Sequence, residues 1–380
     1  MVADKWVFPE LRAHVLQRTT AAITTTSSRS GNTDSSIVTP FQTASLVESG
    51  IPWDVEQKLR RTTCSFVEDL ASLVEIPDAP TVAAQLYVQR FYVLHSFCKH
   101  DRFLVATAAL FLAAKTEEFP IKVRLLTECA LYLLLCKQPG KEELMKKSRG
   151  RQHHQQQQSR VGTSKRKNSS GKPVEMSASL GNDLEAANAK HLDCLHALLE
   201  MIDVGEVETT SAKVLLLERI LLQTISFDVS VPQPFAYVAR LMEKLFALEA
   251  MDAKVPYVVV RELAFLLLAD AIKSGLCLAF NSVELAAGAV YLSCLYRHSV
   301  GPNVATESNE PWWTVLGLSS QQLEDVSRSL LWLYEDASGH KIPGLSSEMQ
   351  SLWERYRPEQ NLPDLEYIKK LDADLQTSPQ

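Results

Sequence analysis

The sequence lacks the signatures by which most enzymes are recognised. Its 380 residues contain no Gly-rich phosphate loop, no H-E-x-x-H and no G-x-S-x-G. No paired carboxylates stand at active-site spacing on its apolar segments, so no catalytic residue is assigned. The seven cysteines are dispersed, without a C-x-x-C or other metal-ligand spacing. That excludes a zinc ribbon and fits reduced thiols in an intracellular compartment, and no metal or cofactor is expected. No apolar run reaches membrane-spanning length; CALYLLLC at 129–136 has the length of a buried-helix run. Asp4 and Lys5 beside Trp6 leave no apolar core for a secretory signal. Period-two alternation is scarce, which argues against sheet.

What is present is apolar and charged in separate places. The apolar fraction of 46% is enough for real cores. The net charge of −6 conceals an asymmetry, because Lys137 to Lys172 holds eleven Lys/Arg against two Glu. That stretch is therefore +9 and the remainder −15. An acidic body is a poor generic nucleic-acid binder, and no direct sequence-specific DNA binding is expected.

Helical periodicity predicts helices near 54–74, 79–97, 102–115 and 121–136, with Pro77, Pro80 and Pro120 in the joints. Residues 137–190, including RGRQHHQQQQSRVGTSKRKNSSGKP, are low complexity and read as a disordered basic insertion. His153 and His154 in it make a poor metal site, since no rigid element positions them. The helical pattern resumes near His191 and runs through 212–226. After Pro232 a second block follows, with helices near 234–248, 256–273, 281–297 and 319–336. The Ser/Thr-rich run 19–36 reads as a loop, and Trp6, Phe8 and Leu11 before it as an anchor onto the body.

The stretch FLVATAALFLAAK (103–115) aligns with VELAAGAVYLSCL (283–295) at an offset of 180 residues. Both copies are small-residue helices suited to the centre of a bundle. They differ at one telling place: Lys115 of the first becomes Leu295 of the second. The helix itself therefore does not need the charge. A second apolar segment, VLLLERILLQTISFD, carries Glu218 in its middle. One opposite charge on each of two apolar helices suggests an ion pair, since either alone would be costly to bury. The alternative is a helix-end lysine favoured by the helix dipole and a separate solvated glutamate.

These residues carry a resemblance. RFYVLHSF (90–97), the 102–118 stretch and LLLERILLQTISFD resemble a cyclin box. The resemblance spans about residues 50–340 apart from the insertion. It implies an all-α fold of two tandem five-helix cyclin-box repeats. The implied divisions are an N-terminal segment 1–49, a first box 50–230 containing the insertion, a second box 231–338 and a tail 339–380. By the same match Lys115 and Glu218 correspond to the box lysine and glutamate that bind the kinase. Phe111, Glu118 and Phe227 fall on kinase-contacting positions, and Arg60 on the arginine of the first box helix, also assigned to kinase binding. Leu104 matches a core leucine. Within the family, RFY, LLQTISF and Trp312-Trp313 are similar to the transcriptional T and K types. Gln89 stands where cell-cycle cyclins have an aspartate, and Thr62-Thr63 stand where they have a hydrophobic docking motif.

The resemblance thus implies a non-catalytic, nuclear subunit that forms a heterodimer with a cyclin-dependent kinase of transcription elongation, with no membrane attachment. That kinase would phosphorylate the C-terminal repeats of RNA polymerase II. Other transcriptional cyclins (L, C or H type), a cyclin-fold general transcription factor and a helical scaffold without kinase are the competing readings. Lys146-Lys147 with Lys165-Arg166-Lys167 reads equally as a bipartite nuclear import signal or as a solvated loop.

Overall fold

A computed structural model describes residues 5–27, 42–136, 202–232, 234–247, 257–296 and 311–334. The expected histidine pair and basic clusters of the insertion, and the tail beyond Tyr334, lie outside the described residues. So does half of the expected loop, 28–36.

The described residues form helices and turns, without a strand. Two N-terminal helices, the long α1 (Pro9–Ser27) and the short α2 (Ala44–Ser49), precede a first bundle. That bundle contains α3 (Trp53–Leu73), α4 (Asp78–Leu94), α5 (Arg102–Thr116), α6 (Val123–Cys136) and α7 (Val204–Thr224). The second contains α8 (Pro234–Ala247), α9 (Tyr257–Lys273), α10 (Ser282–Tyr296) and α11 (Ser320–Trp332), with 3₁₀ turns at Leu276–Leu278 and Thr314–Leu316.

Local chemistry sets the helix ends. Asp101 caps α5 by accepting from the Phe103 and Leu104 amides, both at 2.9 Å. Asp203 caps α7 through the Glu206 amide, and Ser319 with Gln322 forms a reciprocal capping box on α11. Each cap satisfies amides that the first helical turn leaves orphaned.

The internal repeat has a structural meaning. α5 and α10 are the central helices of their bundles, starting at Arg102 and Ser282, and residues 105–114 and 285–295 are all buried. Small side chains let neighbours approach closely: a Cβ on Gly288 would sit 2.8 Å from Cγ1 of Val326 in α11. Trp312 and Trp313 are packed inside the second core, edge to face at 5.7 Å. Leu104 differs from expectation. It lies in the first turn of α5, near the bundle's end, and is half-buried.

The N-terminal segment departs from the expected loop. α1 continues to Ser27, through half of the Ser/Thr-rich run. Threonine is a weak helix former, but the helix is seeded upstream, where Leu11 and Val15 are buried in the second core and Arg12 pairs with Glu284 at 2.8 Å. Propagation of a nucleated helix is far easier than its start. Just before α1, Trp6 belongs to the first core, and the Phe8 amide donates to Leu278 O at 2.8 Å. The anchor therefore touches both bundles.

The bundles are joined by polar contacts. The Gln89 amide donates to Ile272 O at 2.8 Å and Lys273 O at 3.0 Å. Those are end-of-helix carbonyls of α9, left over by its last turn; Ile272 O also accepts from the Gly275 amide at 3.1 Å. Lys273 Nζ reaches Glu68 at 3.2 Å and Asp270 at 3.5 Å, and the Tyr334 hydroxyl donates to Asp270 at 2.8 Å.

Candidate functional site

The Lys115–Glu218 pair exists. Lys115 stands in the last turn of α5, and α7 packs along that helix. Nζ lies 2.5 Å from Glu218 Oε1; the lysine side chain is 45% exposed and the glutamate 10%. The ammonium also lies 4.2 Å from the centroid of the Phe111 ring, one turn back on α5. Phe111 is itself buried. The lysine is thus held between a carboxylate and an aromatic face, while part of its head remains open to solvent. A fixed charge at a half-open rim can present hydrogen-bond donors to a partner without paying to order them first.

Two turns adjoin this pair, and both contain backbone in the left-handed region. After α5, Glu118 has φ 56°, and the Phe119 amide closes back onto Ala114 O at 2.8 Å. After α7, Ser226 and Phe227 have φ 53° and 58°, and the Phe227 amide closes onto Leu222 O at 2.8 Å. Non-glycine residues there carry a backbone cost of roughly 1 kcal/mol or more each. Phe227 is nevertheless 69% exposed. Its ring is therefore not placed by core burial.

The second turn is tied down from α4. The Tyr87 hydroxyl donates to Val229 O at 2.7 Å and lies 3.3 Å from Thr116 Oγ1, linking the end of α5 to the turn after α7. Arg90 donates to Asp228 O and Ser230 O at 3.3 and 3.4 Å. On the other side, the Asp228 carboxylate receives Lys5 at 2.9 Å and the Trp6 indole at 3.2 Å. Its partial burial would raise its pKa, but these two partners outweigh that and hold it below the usual carboxylate range. Lys115, Glu118 and Phe227 thus belong to one rigidly backed end of the first bundle.

Arg60 does not share that surface. It is completely buried in α3, with 0% exposure. Its guanidinium donates to Glu56 at 2.6 and 2.9 Å, to Gln89 Oε1 at 2.7 Å, and to Gln89 O and Tyr92 O at 3.0 and 2.8 Å. Its placement among kinase contacts is therefore corrected: its donors all point inward. The carboxylate opposite it comes from Glu56, one turn earlier on the same helix, and Glu56 also takes the hydroxyl of Thr43, the cap of α2.

Other groups were not anticipated. Phe119, Leu215 and Leu216 are exposed large apolar residues on the turn after α5 and on α7. The clue was present in LLLERILLQ, whose apolar residues are too many for one buried stripe. Among the described residues, no group of three or more His, Cys, Asp or Glu is placed to hold a metal, and no helix is long and apolar enough to cross a membrane.

The chain is similar to several known proteins. Residues 44–148 match the family described as cyclin, N-terminal domain. Cyclin-T1-5 of Arabidopsis thaliana is 24% identical over 303 residues, covering 80% of this chain and 40% of that protein. Cyclin-T1-3 of Oryza sativa subsp. japonica is 24% identical, covering 75% and 45%. Cyclin-K of Danio rerio is 24% identical, covering 73% and 50%. The chain thus spans about half or less of the curated relatives it matches here. Among solved structures, a chain of the yeast RNA Pol II CTD kinase CTDK-1 complex overlays with TM-score 0.49 at 15% identity, covering 87% of this chain and 78% of that one.

Proposed function

We propose that this chain, whose residues 44–148 match the cyclin N-terminal domain family and which resembles the transcriptional cyclins T and K, is the regulatory subunit of a transcription-elongation type cyclin-dependent kinase. The observation that carries the reading is the pre-formed Lys115–Glu218 pair, half open at the rim beside the exposed Phe227. The second copy of the helix, with Leu295 in place of Lys115, has no such charge.

In this reading the end of the first bundle contacts the kinase near its C-helix. Lys115, Glu118 and Glu218 offer charged groups to kinase backbone, and Phe227 covers an apolar patch. The charge contacts fix register, and desolvated aromatic area supplies affinity. Binding shifts the kinase toward the state in which its own Lys–Glu pair and activation loop are ordered. The cyclin supplies no catalytic group. The RNA polymerase II C-terminal repeats would be the substrate, and the nucleus the place of action.

The test is co-purification of Lys115→Ala and Glu218→Ala with the kinase, followed by phosphorylation of a polymerase C-terminal repeat peptide. Loss of a charge-assisted contact should weaken the complex roughly tenfold or more. Circular dichroism should show the helices intact. Undiminished binding and activation by both variants would remove the pair from the interface.

A further inference from the structure

A groove of about 1130 Å³ runs between the two bundles, away from the helices that carry the Lys115–Glu218 pair. Its walls are the α3–α4 corner of the first bundle and α8 and α9 of the second. The floor is apolar, formed by Ile76, Val82, Phe235, Phe265 and Leu266. Phe235 and Phe265 are half-buried and meet edge to face at 5.3 Å. The groove exceeds the ~300–1,000 Å³ typical of small-molecule pockets and matches a stretch of several residues better.

The rim has one sign of charge. Glu75, Asp78 and Glu262 are all exposed, and the lining contains no lysine or arginine. The fourth carboxylate, Glu68, is already engaged by Lys273 and Gln85. That engagement stiffens the floor: Lys273 belongs to α9, Glu68 to α3 and Gln85 to α4. The groove is therefore built before any ligand arrives. Aromatic faces beneath an anionic rim suit one kind of side chain, a cation on an apolar stem.

We propose that this groove docks a lysine- or arginine-rich segment of a partner protein, its long basic side chains lying over the Phe235–Phe265 pair with their heads at the carboxylate rim. None of its lining residues lies on α5 or α7, which carry the proposed kinase-facing pair, so both could be occupied together.

Fluorescence anisotropy on the full chain tests this. The probe is a labelled peptide with two leucines flanked by lysines and arginines; its control replaces every basic residue by glutamate. The basic peptide should bind and the acidic one should not. The double charge reversal Glu75→Lys/Glu262→Lys should weaken binding roughly tenfold, with an unchanged melting temperature, since both residues are exposed. Phe265→Ala should weaken it as well. Raising the salt should erase most of the difference between wild type and the charge-reversed chain. Equal binding of the acidic peptide, no binding of the basic one, or indifference to the charge reversal would each overturn the proposal. Binding only after deletion of residues 137–190 would also overturn it, because the groove would then belong to this chain's own basic stretch.

Discussion

At the scale of single residues, the molecule separates charges that hold it together from charges that are displayed. Arg60 and Glu56 are fully buried and saturated, whereas Lys115 is paired yet nearly half exposed. Arg60→Ala should cost about 3–5 kcal/mol, because it strands the Glu56 carboxylate. Chemical denaturation would measure it, and a paired Arg60→Met/Glu56→Leu replacement should recover much of the loss. Phe227 should behave in the opposite sense. Phe227→Asn suits the left-handed backbone and should raise stability by up to about 1 kcal/mol, while kinase affinity falls. Lys115 and Glu218 were legible in the sequence because a lone charge on an apolar helix must be explained. The burial of Arg60 was not, since an arginine beside a second arginine reads as surface. Its neighbour Arg61 is buried as well.

At the scale of elements, periodicity and small-residue spacing were enough to place the central helices, α5 and α10, to within a residue or so. α1 was missed because tertiary seeding at Leu11 and Arg12 overrides weak threonine propensity. In α10, Gly288 faces Val326 and Leu330. Gly288→Ala gains about 1 kcal/mol of helix propensity and pays about 1–3 kcal/mol for overpacking against a stiff β-branched side chain. A net loss of about 1 kcal/mol, read as a lower melting temperature, is expected. The corner after α4 carries a pH dependence. His95 stacks on Phe91 at 4.3 Å and meets His100 at 5.0 Å. Burial is the main cause that lowers both pKa values below the ordinary 6.5. The folded state thus binds protons less readily than the unfolded chain. Stability is unaffected above pH 6.5 and falls as the pH drops below it, until the depressed folded values are passed. Thermal melts from pH 7.5 to 5 should show the decline, and His95→Phe should reduce it.

At the scale of the whole molecule, two repeats of one plan are fastened by a few polar contacts. Gln89 satisfies the end of α9 while accepting from Arg60. Gln89→Leu would leave the Lys273 carbonyl unpaired and Ile272 O with only the Gly275 amide, at a cost of about 1–3 kcal/mol. Calorimetry should then show the single unfolding transition broaden or split. Lys273 adds to the same joint. Burial works against its charge, but Glu68 and Asp270 outweigh that and raise its pKa above 10.5. Its contribution is therefore complete at neutral pH and is lost only as the pH rises through the alkaline range. None of this joint was legible beforehand, because residues 89 and 272 meet only after both bundles exist. The same holds for the segment before them, and it sets an order of events during synthesis. Arg12 and Leu11 leave the ribosome long before Glu284 and α11, against which they pack. At roughly 5–20 residues per second, translation makes them wait on the order of tens of seconds. Helix α1, made well before α10 and α11, is thus among the last to find its place, and a nascent chain halted before α10 should leave α1 open to protease.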